Sequence, residues 1–366
     1  MKKNYCFLLI CILCLFGCEK SNTAFEKYSE QMFDAGFDTV ITLIAYTEDE
    51  ATFETYQKRA KELFMHYHQL FDRYQSYEGV QNVKTINDQA GIAPVKVDQE
   101  LLKLIQLTKQ YGVYSAYQYD VTYGAVFEIW HDYRNNATQN NIKQIPSMKE
   151  LEQAKIHTGW EHVIIDEEAS TIYIDDSDAS IDLGSAAKGY ACEQVAKQLE
   201  SEGLSHAIIN AGGNVRIIGE KPDGTPWNVG IQLPSSEQNS SIANVLMDKD
   251  VSFVTSGDYQ RAYEVDGKLY HHIIDPHTLM PATYMRSVTL ITKDSGIADI
   301  LSTTLFTMSY EQGNALLEQL KKDGMDVDAI WVFDETLDIP KNADIIKSGN
   351  YQLIVSDGIK DQVEVK

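Results

Sequence analysis

The chain has 366 residues, 43% of them hydrophobic and 23% charged, which excludes a disordered or low-complexity protein and allows one large domain or two ordinary ones. Its 54 acidic residues against 31 basic ones give a formal net charge of −23. A surface so acidic repels nucleic-acid backbones and anionic lipid, so no nucleic-acid partner is expected, and any phosphate-bearing ligand needs a local device such as a metal ion or backbone N–H groups.

Lys2 and Lys3 precede an apolar run, 5–16, that is too short to span a bilayer comfortably but suits the h-region of a secretory signal. The run ends in Leu15-Phe16-Gly17-Cys18, and a small residue directly before Cys looks like the lipobox of bacterial lipoproteins. The expectation is a signal peptide over 1–17, a lipid on Cys18, and a polar tether over 18–35 with helical potential in 21–35. The body is then lipid-anchored on the extracytoplasmic, periplasmic side of a bacterial membrane. Cys6, Cys11 and Cys14 fall in the removed segment, so Cys192 alone remains in the body. That excludes an intrachain disulfide, a Cys-based zinc site and a CxxC pair. Cys192 itself reads as a small packed hydrophobe.

Residues 38–46 alternate β-branched side chains and predict a strand, and 49–72 carry apolar residues near a 3.6 period and predict a long amphipathic helix. Helices are expected at 100–117 and 148–155, with 134–146, rich in Asn and Gln, as a surface loop. Short strands are expected at 163–165, 171–174 and 180–183, then a helix at 186–202 closed by Gly203. Strands follow at 206–210, 215–219, 228–233, 251–255, 261–265 and 288–292, helices at 295–309 and 311–322, and a late strand at 329–333. Strands arrive in runs and hairpins, without strict β-α alternation. The fold class is therefore α+β: one two-lobed unit of mixed and antiparallel sheets with packed helices over 36–345, leaving 346–366 as a tail.

Four clusters carry candidate chemistry. In Asp182-Leu183-Gly184-Ser185-Ala186-Ala187-Lys188-Gly189, a strand ends, Gly184 permits a tight turn and Ser185 caps a helix. The first turn of that helix, with Lys188 close by, can hold a phosphate, although an ordinary capped helix reads the same way. The spacing is neither that of a Walker motif nor that of a dinucleotide GxGxxG. In Asn210-Ala211-Gly212-Gly213-Asn214, paired glycines either let a ligand or another backbone approach closely or make a plain turn. Ser256-Gly257-Asp258-Tyr259 and His271-His272-Ile273-Ile274-Asp275-Pro276 flank an Asp266-Gly267 hairpin signal. On a strand, His271 and His272 face opposite sides, so at most one belongs to a site. Asp299 and Thr303, four apart on a predicted helix, share a face. They offer hard oxygen ligands suited to Mg²⁺, or else form a surface Asp and a Thr bonded to its own backbone.

The order of these motifs resembles the ApbE family, the FAD:protein FMN transferases, which are often periplasmic lipoproteins. The resemblance runs from about Phe37 to Phe333. It rests on Phe37-Asp38-Thr39, Tyr119-Asp120-Val121-Thr122, the Asp182–Gly189 motif, Gly212-Gly213-Asn214, Ser256-Gly257-Asp258-Tyr259, His272-Ile273-Ile274-Asp275-Pro276, and Ala298-Asp299 with Thr303. It implies that Phe37 stands where the family commonly has Met beside the flavin, and that Tyr74 fills an aromatic position. Gln118-Tyr119-Asp120 match a flavin-binding segment usually read Ala-Phe-Asp. Asp182, Lys188 and Ile273 or Ile274 match FAD-contacting positions, with Gly212 and Gly213 beside them. Ser185, Asp299 and Thr303 match the metal-binding positions. His272 matches the suspected acid/base histidine, and Asp258 is the alternative base. A neutral imidazole near pKa 6.5 would take a proton at neutral pH, with activity falling below about pH 6. Phe37, Gln118 and Leu279, the last in place of a usual Gly, depart from the pattern.

The reaction implied is Mg²⁺-dependent. A Thr or Ser hydroxyl of an acceptor flavoprotein subunit, for instance of a membrane redox complex, attacks the FMN-side phosphorus of FAD, and AMP leaves. Two other readings are an FAD pyrophosphatase, with water in place of the hydroxyl, and a flavin-binding lipoprotein without chemistry. The Asp299/Thr303 pair argues against the last, since binding alone needs no metal.

Overall fold

The structure, a computed structural model, describes residues 25–235, 240–337, 339 and 343–366. The signal segment and Cys18 lie outside the described residues.

Glu26–Met32 (β1) pairs antiparallel with Ile41–Thr47 (β2) along its whole length. Residues 26–32 of the stretch expected as a helical tether are therefore an edge strand. Its polarity suits an edge, where charged side chains discourage pairing with other chains. Glu50–Phe71 (α1) begins at Asp49, whose carboxylate accepts the Thr52 amide as an N-cap. Val83–Asp88 (α2), Val95–Lys96 (β3) and Gln99–Tyr114 (α3) follow. Gly124–Gln139 (α4) occupies part of the expected loop. Its buried Val126, Trp130 and Ala137 hold it helical despite the Asn-rich opposite face. Met148–Lys155 (α5) lies at the expected place.

Val163–Asp166 (β4) and Thr171–Ile174 (β5) form a small sheet with β3. Residues 180–183, expected as a strand, contribute only a bridge from Ser180 to Tyr123. Ala187–Ser201 (α6) ends at Gly203, whose φ of +109° is the left-handed stop a helix C-terminus favours. Then come Ala207–Ala211 (β6), Asn214–Ile218 (β7), Trp227–Gln232 (β8), Ser241–Met247 (β9) and Ser252–Gly257 (β10). Tyr263–Val265 (β11) and Lys268–Tyr270 (β12) are joined by Asp266-Gly267, both at positive φ, as that dipeptide signals. The chain finishes with Ser287–Thr292 (β13), Ser295–Phe306 (α7), Tyr310–Lys322 (α8), Val327–Asp334 (β14), Ile345–Ser348 (β15), Tyr351–Val355 (β16) and Val363–Val365 (β17).

A nine-stranded antiparallel sheet, ordered β1-β2-β6-β7-β10-β13-β14-β16-β15, is the frame. Both its faces are covered, which is why β13 and β14 are buried along nearly their whole length. Ala329, Trp331 and Phe333 alternate onto the face packed by α1, α3, α6, α7 and α8. Ile330 and Val332 point the other way, onto the three-stranded sheet β17-β9-β8. A third cluster, Val126, Trp130, Tyr263, Tyr270, Ile274 and Leu279, packs α4 on the β11–β12 hairpin and makes the second lobe. The class is α+β. The segment 346–366 is no tail, because β16 pairs with β14 and β17 with β9, and the frame likewise begins before residue 36, in β1.

Candidate active site

The site forms where α6 and α7 cross. Asp299 on α7 is 5% exposed, and its Oδ2 accepts the N–H of Gly189, in the first turn of α6, at 2.8 Å. Only glycine permits this approach: a Cβ at 189 would stand 2.5 Å from Asp299 Cβ and closer still to the Ser295 carbonyl. A first-turn amide of α6 is thus committed to a carboxylate of the chain itself. Burial pushes the Asp299 carboxyl up, opposed by the charge of Lys188, then by the Gly189 amide and Asn214. Among the described residues Asp299 forms no ion pair.

Ser185 does not cap α6. The N-cap is Ala186, without a side-chain bond, and Ser185 Oγ donates to the Tyr119 hydroxyl at 3.1 Å. Tyr119 is buried, and burial, opposed by the Ser185 hydrogen bond and reinforced by the charges of Asp299, Asp182 and Asp120, pushes its phenol up. One turn along α7, Thr303 Oγ1 lies 3.4 Å from Ser256 Oγ, itself 3.0 Å from Ser302 Oγ. Ser256, at the end of β10, thus belongs to the hydroxyl cluster through its own motif. A buried carboxylate lacking a cationic partner in contact, among hydroxyl oxygens, is a donor set that fits Mg²⁺. His157, Asp176 and Asp178 also lie close enough together to share a cation, away from these residues in the sequence motifs, with His157 Nδ1 already 2.7 Å from Asp176.

Phe37 is at φ +60°, its N–H donates to His68 Nδ1 at 3.1 Å, and its ring meets His68 edge-on. Gln118 is buried and gives its amide N–H to the Thr307 carbonyl at 2.6 Å, so this departure straps the segment to the end of α7. Asp120 accepts the Thr122 amide and hydroxyl, while burial pushes its carboxyl up. Gly212, at φ +61°, is required by close contact with the Thr39 side chain, whereas Gly213 faces open space.

Asp182 accepts the Gly184 amide on Oδ1 and Arg73 on Oδ2, each at 2.8 Å. The Arg73 guanidinium lies 5.5 Å from the centroid of the half-exposed Tyr74 ring, and that ring is 5.2 Å from His131. Arg73 and His131 escape sequence reasoning, since neither sits in a motif and only the fold brings them to Asp182 and Tyr74.

The histidines are not on a strand, because β12 ends at Tyr270. His271 is nevertheless turned inward. Its Nε2 meets the Ala282 carbonyl at 2.7 Å, its Nδ1 accepts the Ile273 amide, and burial pushes its pKa down to about 4. Among the described residues His272 Nδ1 is buried without a hydrogen-bond partner. Burial, then the charges of Arg261, His271, Arg134 and Lys188, hold this imidazole well below 6.5. It is neutral at neutral pH, as a base must be, but the expected loss of activity at pH 6 does not follow. Asp258 is a poorer base, since its Oδ2 is locked to Arg286 Nε at 2.6 Å. Ile273 packs into the main core and Ile274 into the second lobe. Leu279 keeps a φ of +60° where glycine is usual. Its burial and the Trp130 bond to its carbonyl hold that turn.

A nine-stranded antiparallel sheet that presents a buried carboxylate among hydroxyls, with cations close by, defines an α+β protein equipped to handle phosphate esters. The chain belongs to the ApbE family, whose model matches residues 37–330. It is 31% identical over 318 residues to the FAD:protein FMN transferase of Klebsiella pneumoniae, covering 86% of this chain and 90% of that one. A protein of the same name from Treponema pallidum is 29% identical over 347 residues, covering 89% and 90%. Among solved structures, the ApbE protein of Thermotoga maritima aligns with a TM-score of 0.72 at 30% identity, over 84% of this chain and 94% of its own. The flavin transferase ApbE from Vibrio cholerae shares the fold, with a TM-score of 0.72 at 23% identity over 92% and 99%.

Proposed function

We propose that this chain is an FAD:protein FMN transferase. A Thr or Ser oxygen of an acceptor protein bonds to the FMN-side phosphorus of FAD, and the bond from that phosphorus to AMP breaks. AMP leaves with the electron pair, and the hydroxyl proton passes to a base. The observation that carries this reading is the buried Asp299, seated on the Gly189 amide, with Thr303 one turn along its own helix and Ser185 four residues before Gly189, in a chain akin to proteins of that name. Asp299, Thr303 and Ser185 are the residues to hold Mg²⁺, which when bound neutralises and polarises the pyrophosphate. His272 keeps a neutral ring ready for the acceptor's proton, with His271 fixing the backbone beside it. Phe37, Tyr74, Gln118, Tyr119, Asp120, Asp182, Lys188, Gly212, Gly213, Ile273 and Ile274 surround the flavin nucleotide, some in direct contact and some, like Gln118, by holding the contacting segment.

The test is chromatographic. With FAD and Mg²⁺, AMP is expected only when acceptor is present, in step with FMN bound to it. AMP and free FMN without acceptor would make the protein a pyrophosphatase, and intact FAD throughout a binding protein.

The body is proposed to be lipid-anchored through Cys18 on the extracytoplasmic face, where its acceptor would be a membrane redox subunit. Among the described residues no helix is long and apolar enough to cross a membrane. Cys18→Ser should move the protein to the soluble fraction without fatty acylation; retention in the membrane as an acylated protein would rule the anchor out.

A further inference from the structure

Two arginines beside the site make no hydrogen bond or ion pair through their guanidiniums among the described residues. Arg134 lies on α4, three residues beyond His131 and so on the same face, and the His131 ring packs against Tyr74. Arg261 stands two residues before β11, the first strand of the β11–β12 hairpin, at φ +48°. The hairpin is fixed to α4 by the second-lobe cluster, with the Trp130 and Tyr270 rings stacked at 6.0 Å. The two guanidiniums are thus held at one joint, near Tyr74 and His272.

Among the described residues neither guanidinium makes a hydrogen bond or an ion pair. The chain has 54 carboxylates, so this is no shortage of acids. The nearby Asp182 is already taken by Arg73. Arg134 is held down by burial and then by the charge of Arg261, and both charges bear on His272. Arg134 is half-buried and Arg261 exposed, and two like charges brought together at the mouth of a site favour an anion that joins them. The anion geometry that matches a guanidinium fork is a carboxylate or a phosphate.

We infer that Arg134 and Arg261 form a seat for the phosphates of FAD, a second local device on an otherwise acidic chain beside the Asp299 cluster. The inference rests on the proposed reading that FAD is the substrate. It is tested by calorimetric titration of the full chain with FAD in EDTA, which removes any metal contribution, together with the melting temperature of the unliganded protein. Arg134→Gln/Arg261→Gln should weaken FAD binding by about tenfold or more, as loss of charge-assisted bonds does. Its unliganded melting temperature should be unchanged or higher, because a repulsion has been removed. Arg134→Lys/Arg261→Lys should fall between. Unchanged FAD affinity would overturn the inference, and so would a melting temperature that falls along with affinity, which would mark the arginines as structural. An unaltered chain that does not bind FAD would overturn inference and function together. FAD binding without flavin transfer to acceptor would overturn the function alone.

Discussion

The Nε2–H of His271 reaches the Ala282 carbonyl and its Nδ1 takes the Ile273 amide, so this ring staples the segment that carries His272. His271→Ala leaves both backbone groups unpaired in the interior, at about 1–3 kcal/mol each. A stability loss of that order is expected in urea unfolding. The same ring gives a pH signature. Unfolded, it binds a proton below about pH 6.5; folded, only below about 4. The unfolded state therefore holds more protons between those values. Its contribution is complete above pH 6.5 and falls by about 3 kcal/mol as pH drops to 4. His271→Ala should show a shallower decline over that window. His272→Ala should slow single-turnover transfer by about 10²–10⁴ while FAD still binds. The wild-type rate should hold through pH 6 and fall only well below it, because the folded imidazole resists protonation. An unchanged rate in His272→Ala would remove it from the mechanism. Asp299 and Thr303 were legible because four residues on a helix fix a shared face. Ser185 was misread as a cap because its true partner, Tyr119, is 66 residues away, and Arg134 and Arg261 carried no local signal at all.

The crossing of α6 over α7 depends on one missing side chain. Gly189→Ala would drive a methyl into the Ser295 carbonyl and Asp299 Cβ. It should cost about 1–3 kcal/mol by overpacking and also displace Asp299 from its amide. Denaturation should report the first effect, and Mg²⁺ dependence of transfer the second; a stable, fully active variant would show that the close approach is dispensable. Helices with a sustained apolar period, such as α1 and α7, could be read from the sequence nearly to their ends. The failures share a cause in tertiary context. β1 is polar and becomes a strand only because β2 offers a backbone to pair with. The end of α4 is Asn-rich and becomes helical because Val126, Trp130 and Ala137 are buried on its other face. Residues 180–183 look like a strand, but Asn87 binds the Ile181 backbone on both its N–H and C=O sides in place of a neighbouring strand.

Across the molecule, the core that supports the site extends past the motifs. The last residues contribute Leu353, Val355 and Ile359 to the layer behind the sheet, and β16 covers the flank of β14. Ending the chain at residue 345 should therefore expose a long hydrophobic edge and give an aggregating or unfolded product, checked by circular dichroism and gel filtration. A monodisperse, folded truncation would show that the sheet is complete without β16. The α+β class was readable from strands that come in hairpins, but the nine-stranded order was not, since β1, β15 and β16 lie outside every motif. The chemistry converges on Asp299, the buried carboxylate that the frame holds against α6. The most direct measurement is the intact mass of an acceptor protein bearing a candidate Thr, after incubation with FAD, Mg²⁺ and either the unaltered chain or Asp299→Ala. The expected result is one FMN phosphoester gained with the unaltered chain and none with Asp299→Ala. An acceptor mass that never changes, or FMN gained with Asp299→Ala in excess chelator, would contradict it.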